Sequence, residues 1–127
     1  MGTRYVTALA ASFTLAAVVS GCGGGDSPST PSQNEPTVTI SATGVTPTQV
    51  RIPVGGRVSF VNNDIRPHAM SSDPITTHTD CPAINDVGTL TPGQKRSTGT
   101  LDVARTCGFH DHTDENNTAF KGSIVIQ

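Results

Sequence analysis

The sequence predicts an all-β domain, an antiparallel sandwich or small barrel, and three observations carry that expectation. Apolar and polar residues alternate in short runs, the period of a strand half-buried in a sheet. Clusters of Gly, Pro and Asn separate the runs and act as turn signals. No segment repeats its apolar residues at the 3.6-residue spacing of an amphipathic helix. In chain order, "TVTISATG" sets Val38 and Ile40 on one face, and "TQVRIPVGG" alternates through Val50, Ile52 and Val54 before Gly55 and Gly56. "RVSFVNND" puts Val58 and Phe60 on one face and ends in an Asn-Asn-Asp turn. "GTLDV" and "GSIVIQ" complete the strands. Between them, "SSDPITTHTDCPAINDVG" (Ser71 to Gly88) is a long polar loop, and such loops are usually functional or tied down.

Residues 1–21 read as an export signal. Arg4 supplies positive charge, and the uncharged run Val6 to Val19 is too short to span a bilayer comfortably. "VSGC" (Val19 to Cys22) resembles a bacterial lipobox, which implies that Cys22 becomes the lipidated first residue of an exported protein. Residues 22–36, "CGGGDSPSTPSQNEP", are a Gly/Ser/Pro linker with no apolar residue to bury. Its r.m.s. reach as a coil is roughly 20 Å, and lipid chains at its start would hold the domain on a membrane without crossing it. The expected location is a bacterial membrane surface facing the periplasm or exterior, with the lipid as the only membrane contact.

Residues 37–127 then form one domain. It carries seven Lys and Arg against eight Asp and Glu, so no basic face is implied and nucleic acid is not an expected partner. It lacks Trp and Tyr, and its only large aromatics are Phe60, Phe109 and Phe120. So thin a core gains from a metal or a disulfide.

All four histidines lie between positions 68 and 112: His68, His78, His110 and His112. "TCGFHDH", read as a loop ahead of the last strand, adds Cys107 to the last two. Imidazole and thiolate donors converging at one end of a sandwich suit copper, and zinc accepts the same donor types.

These residues resemble the cupredoxins, the plastocyanin and azurin superfamily of blue copper proteins. "TPTQVRIPVGGRVSFVNND", "RPHAM", "LTPGQKRSTGTLDVARTC" and "FKGSIVI" carry the likeness over most of the domain. It implies a Greek-key β-sandwich holding one copper ion between an early histidine, His68, a late cysteine, Cys107, and a late histidine. His110 gives the plastocyanin-like spacing from Cys107 and is favoured in the plane, with His112 joining or flanking it. The axial position departs from the family: the last strand places Phe120 where methionine is usual, and counting from Cys107 reaches Glu115. Met70 and His78 are accessory candidates. Asp111 and Asp114 could orient the histidines.

Two readings of Cys107 stand side by side. As a thiolate it would make a one-electron carrier serving redox proteins of the same membrane. Yet once Cys22 is lipidated, Cys81 and Cys107 are an even pair in an oxidising compartment, where a disulfide is ordinary. Such a bridge would contribute on the order of 3 kcal/mol, leaving a histidine-based site on a copper-binding or copper-delivery lipoprotein. A metal-free domain for adhesion or assembly is the third reading. No catalytic triad, phosphate loop or carboxylate pair is present, so an enzyme is not expected. "NNT" at Asn116 to Thr118 matches a glycosylation sequon but carries no weight beside a bacterial lipobox.

Overall fold

A computed structural model describes Gly2 and residues 35–127; the export signal, Cys22 and most of the expected linker lie outside the described residues. Among the described residues nine strands form two sheets: β1 (Thr37–Ser41), β2 (Gly44–Thr46), β3 (Gln49–Ile52), β4 (Ser59–Asn62), β5 (His68–Ser72), β6 (Gly88–Leu90), β7 (Lys95–Ser97), β8 (Arg105–Asp111) and β9 (Lys121–Ile126). Two 3-10 turns, Pro82–Asp86 and Thr118–Phe120, complete the described elements. One sheet has the order β2-β1-β4-β7 and the other β3-β9-β8-β5-β6. No described helix is long and apolar enough to cross a membrane.

The alternation in the sequence becomes the inner faces of these sheets. Val38 and Ile40 from β1 and Phe60 from β4 meet Phe109 from β8 and Ile124 from β9, all fully buried. Phe60 and Phe109 pack edge to face with ring centroids 5.1 Å apart, a geometry that adds about 1 kcal/mol to their burial. Phe109 lies over Gly122, where a Cβ would collide with its ring. The domain begins where the Ser59 N–H donates to the Pro36 carbonyl at 2.9 Å, beside Ile52 and Gly56.

Three expectations change. The sheets are mixed, because β1 pairs with β4 and β3 with β9 in parallel, each pair joined by chain that crosses to the other sheet. "GTLDV" forms no strand: Leu101 makes an isolated bridge to Gly56 and buries its side chain there. "TCGFHD" is not the loop expected ahead of the last strand but the body of β8, flanked by β5 and β9. This last difference decides the chemistry, since successive residues of a strand point to opposite faces.

Candidate metal centre

On β8, Cys107, Phe109 and Asp111 share the inward parity, while His110 takes the other face. The odd Cys-x2-His spacing therefore separates Cys107 from His110. The Cys107 sulfur is bonded to Cys81 across a sequence separation of 26, and both residues sit within the apolar core. A sulfur in that bond has no thiolate to offer, which corrects the expectation of Cys107 as a copper ligand.

His68 also stands elsewhere. It opens β5 on the inner face, pairs in register with Leu90 and is buried. Its Nδ1 lies 2.6 Å from Asp111 Oδ2 and its Nε2 3.0 Å from Asp64 Oδ2. Both ring nitrogens are thus engaged by carboxylate oxygens, and neither is left open toward a metal. Phe120 stacks on this ring with centroids 4.9 Å apart. Met70, two residues on, is buried opposite Asp111 in the core.

The hydrogen bond from His68 holds the Asp64 carboxyl below its ordinary 3.8, against burial, with the Ile65 N–H and the Arg66 guanidinium helping. Burial pushes the Asp111 carboxyl up, but bonds from His68, the Thr113 and Ala69 N–H groups and the Thr113 hydroxyl outweigh it and leave it low. A carboxylate whose folded value is depressed adds stability above its unfolded value and loses it as pH falls through the folded one. The acid limb of the unfolding curve should thus begin below about pH 4 and flatten in Asp64→Asn. Superimposable acid limbs for the two proteins would show that the pair contributes nothing.

The remaining histidines converge on the outer face. Donor atoms of His78, His110, His112 and Glu115 all lie within 4.8 Å of one another. His110 comes from β8. The chain just beyond that strand carries His112, whose N–H donates to the Ala69 carbonyl at 2.7 Å. Glu115 follows in the same connection, and His78 comes from the loop between β5 and the first 3-10 turn. The ring centroids of His78 lie 5.1 Å from His110 and 4.9 Å from His112.

Two of these rings are oriented from behind. His110 Nδ1 donates to Asp73 Oδ1 at 2.7 Å, which turns Nε2 toward the cluster. That Nε2 is buried and has no hydrogen-bond partner among the described residues. His78 Nδ1 donates to the Ser72 carbonyl at 2.9 Å, leaving its Nε2 as the donor toward a metal. Such back-bonding of metal-binding imidazoles is the usual way of fixing tautomer and ring angle. His78 has φ 53, in the left-handed region, which costs roughly 1–3 kcal/mol unless the surroundings impose it. The surroundings do: His78 N–H bonds the Pro74 carbonyl at 2.8 Å, and Asn85 Nδ2 donates to the His78 carbonyl at 2.9 Å. Gly108 matters too, because a Cβ there would collide with the Asp73 side chain.

Of the residues singled out from the sequence, the structure gathers His78, His110, His112 and Glu115, and leaves His68, Met70, Cys107 and Phe120 on the other side of the sheet. Asp73, Ser72 and Asp64 were not anticipated. Only the Asn-Asn-Asp turn before His68 hints at Asp64. Asp114 is engaged with Asn117 Nδ2 at 3.0 Å.

No family model and no curated protein matches the chain. Solved structures do. A purple cupredoxin from Nitrosopumilus maritimus aligns with a TM-score of 0.54 at 17% identity, over 73% of this chain and 100% of that one. A reduced amicyanin variant aligns at 0.59 and 16% identity, over 76% of this chain and 86% of that one. A copper(I) form of another amicyanin variant gives 0.56 and 16% over the same shares. These likenesses establish the fold: the domain is a cupredoxin-like β-sandwich.

The residues present do not fit the thiolate copper site that this fold led us to expect. Phe120, at the expected methionine position, and His68, the expected early ligand, do meet. The β8 side chain that joins them is the Asp111 carboxylate, four residues beyond Cys107. The outer histidine cluster, by contrast, fits a divalent transition metal in donor type and spacing.

Proposed function

We propose that this protein is an exported, membrane-tethered copper-binding lipoprotein. In this reading His78, His110, His112 and Glu115 hold one copper(II) ion reversibly, and Cys81–Cys107 is a structural staple. The observation that carries it is His110: a fully buried ring, fixed by Asp73, whose Nε2 has no partner. Leaving such a group unsatisfied costs about 1–3 kcal/mol, a cost that a bound cation removes. Copper is favoured over zinc because imidazole-rich sites follow the order of divalent affinity that peaks at Cu(II). The bound ion would supply a Lewis-acidic, redox-active centre, and the partners would be copper-handling proteins at the membrane. One-electron transfer through a cysteine thiolate is the less favoured reading, since both sulfurs are in the disulfide.

Titrating the purified, oxidised protein with Cu(II) while recording its visible and paramagnetic resonance spectra tests the proposal. The expected result is one equivalent bound with only a weak ligand-field band, unchanged in His68→Ala. An intense sulfur-to-copper charge-transfer band would instead make Cys107 a ligand and electron transfer the function. Absence of bound copper would leave a metal-free domain.

A further inference from the structure

The four donors differ in how firmly they are held. His78 and His110 are braced by Ser72 and Asp73, and His110 is 0% exposed. The loop bearing His78 and Asp73 is closed on itself, with the Asp80 N–H donating to the Asp73 carbonyl at 2.9 Å. It is pinned to β8 by the Asp73 N–H on the Gly108 carbonyl at 3.0 Å and by the Cys81–Cys107 bond. His112 and Glu115 differ: their side chains are 53% and 33% exposed and bond each other, Nδ1 to Oε1, at 2.8 Å. They sit on the connection between β8 and the second 3-10 turn.

That asymmetry sets an order of release. If His110 let go first, its Nε2 would again be buried without a partner among the described residues. His112 and Glu115 can turn outward and be hydrated at once. An incoming donor reaches the site from their side, since Asp73 covers His110 from behind.

Resting on the metal-binding reading above, we propose that this protein hands its copper over through the His112–Glu115 half. The acceptor is a copper-handling protein that presents imidazole or carboxylate donors. It adds at this face while His78 and His110 still hold the ion, and His112 is the first protein ligand to leave. One protein–metal bond breaks as one acceptor–metal bond forms, with no change of oxidation state.

The test loads the oxidised protein with one equivalent of Cu(II) and mixes it with excess nitrilotriacetate in a stopped-flow spectrometer. The expected rate rises in proportion to nitrilotriacetate concentration, and His112→Ala transfers about tenfold faster or more. Free imidazole should restore the wild-type paramagnetic resonance spectrum to copper-loaded His112→Ala but not to His110→Ala, whose native side chain is fully buried. A rate independent of nitrilotriacetate, an unchanged rate in His112→Ala, or rescue of His110→Ala alone would overturn the proposal. A wild-type protein that takes up no copper in the preceding titration sinks the metal-binding reading itself, and this one with it.

Discussion

Replacing both Cys81 and Cys107 with alanine should lower the free energy of unfolding by about 3 kcal/mol and the melting temperature by roughly 15 °C. The bridge joins positions separated by 26 residues, and its chief effect is to restrict the unfolded chain. The loss is large for this domain because its core holds only three aromatic side chains. Calorimetry of the variant beside the wild type measures it, and an unchanged midpoint would show that the core alone carries the fold. The same variant should bind copper about tenfold more weakly, because the loop that presents His78 loses its covalent anchor to β8.

His110→Ala should weaken copper binding by more than about a hundredfold, and Asp73→Asn by about ten- to a hundredfold. The first removes the buried donor. The second leaves the donor but replaces the carboxylate that fixes the ring's tautomer and angle at 2.7 Å. Thermal unfolding with and without Cu(II) reads both. At a copper concentration a thousand times the dissociation constant, binding stabilises the wild type by about 4 kcal/mol, and a hundredfold loss of affinity leaves about 1.4 kcal/mol. Asp73→Asn should therefore keep its metal-free midpoint while roughly one third to two thirds of the copper-induced stabilisation disappears. If copper raises both variants as much as the wild type, the ion sits elsewhere.

The strands that face the core were legible because alternation is a direct consequence of burying one side of a sheet. Val38, Ile40, Phe60 and Ile124 follow it closely. Leu101 misled because one buried apolar residue between turns looks like the middle of a strand, although it forms only a bridge. The site was half legible. Its three histidines and Glu115 stand out by residue type, but their assembly depends on whether "CGFHDH" is loop or strand. Read as a loop, the segment lets Cys107 and His110 converge; as β8, it sends them to opposite faces. Asp73 could not be found by pattern, since it reaches His110 from 37 positions away, over a glycine that only the fold explains. Asp111 was noted as a possible orienting group for the neighbouring histidines. It instead bonds His68, 43 positions away, on the inner side.

The place where the chain enters the domain has a consequence for orientation. Pro36 joins the sandwich beside Ile52 and Gly56, and Ile52 pairs with Ile126, which stands opposite Arg105 at the start of β8. β8 then runs the length of the sheet to Asp111, and His112 and Glu115 follow from its far end. Entry and histidine cluster are thus opposite poles of one strand's length. A chain held at a surface ahead of Glu35 would have its attachment at the entry pole, so that His112 and Glu115 lie at the pole of the domain farther from the point of attachment.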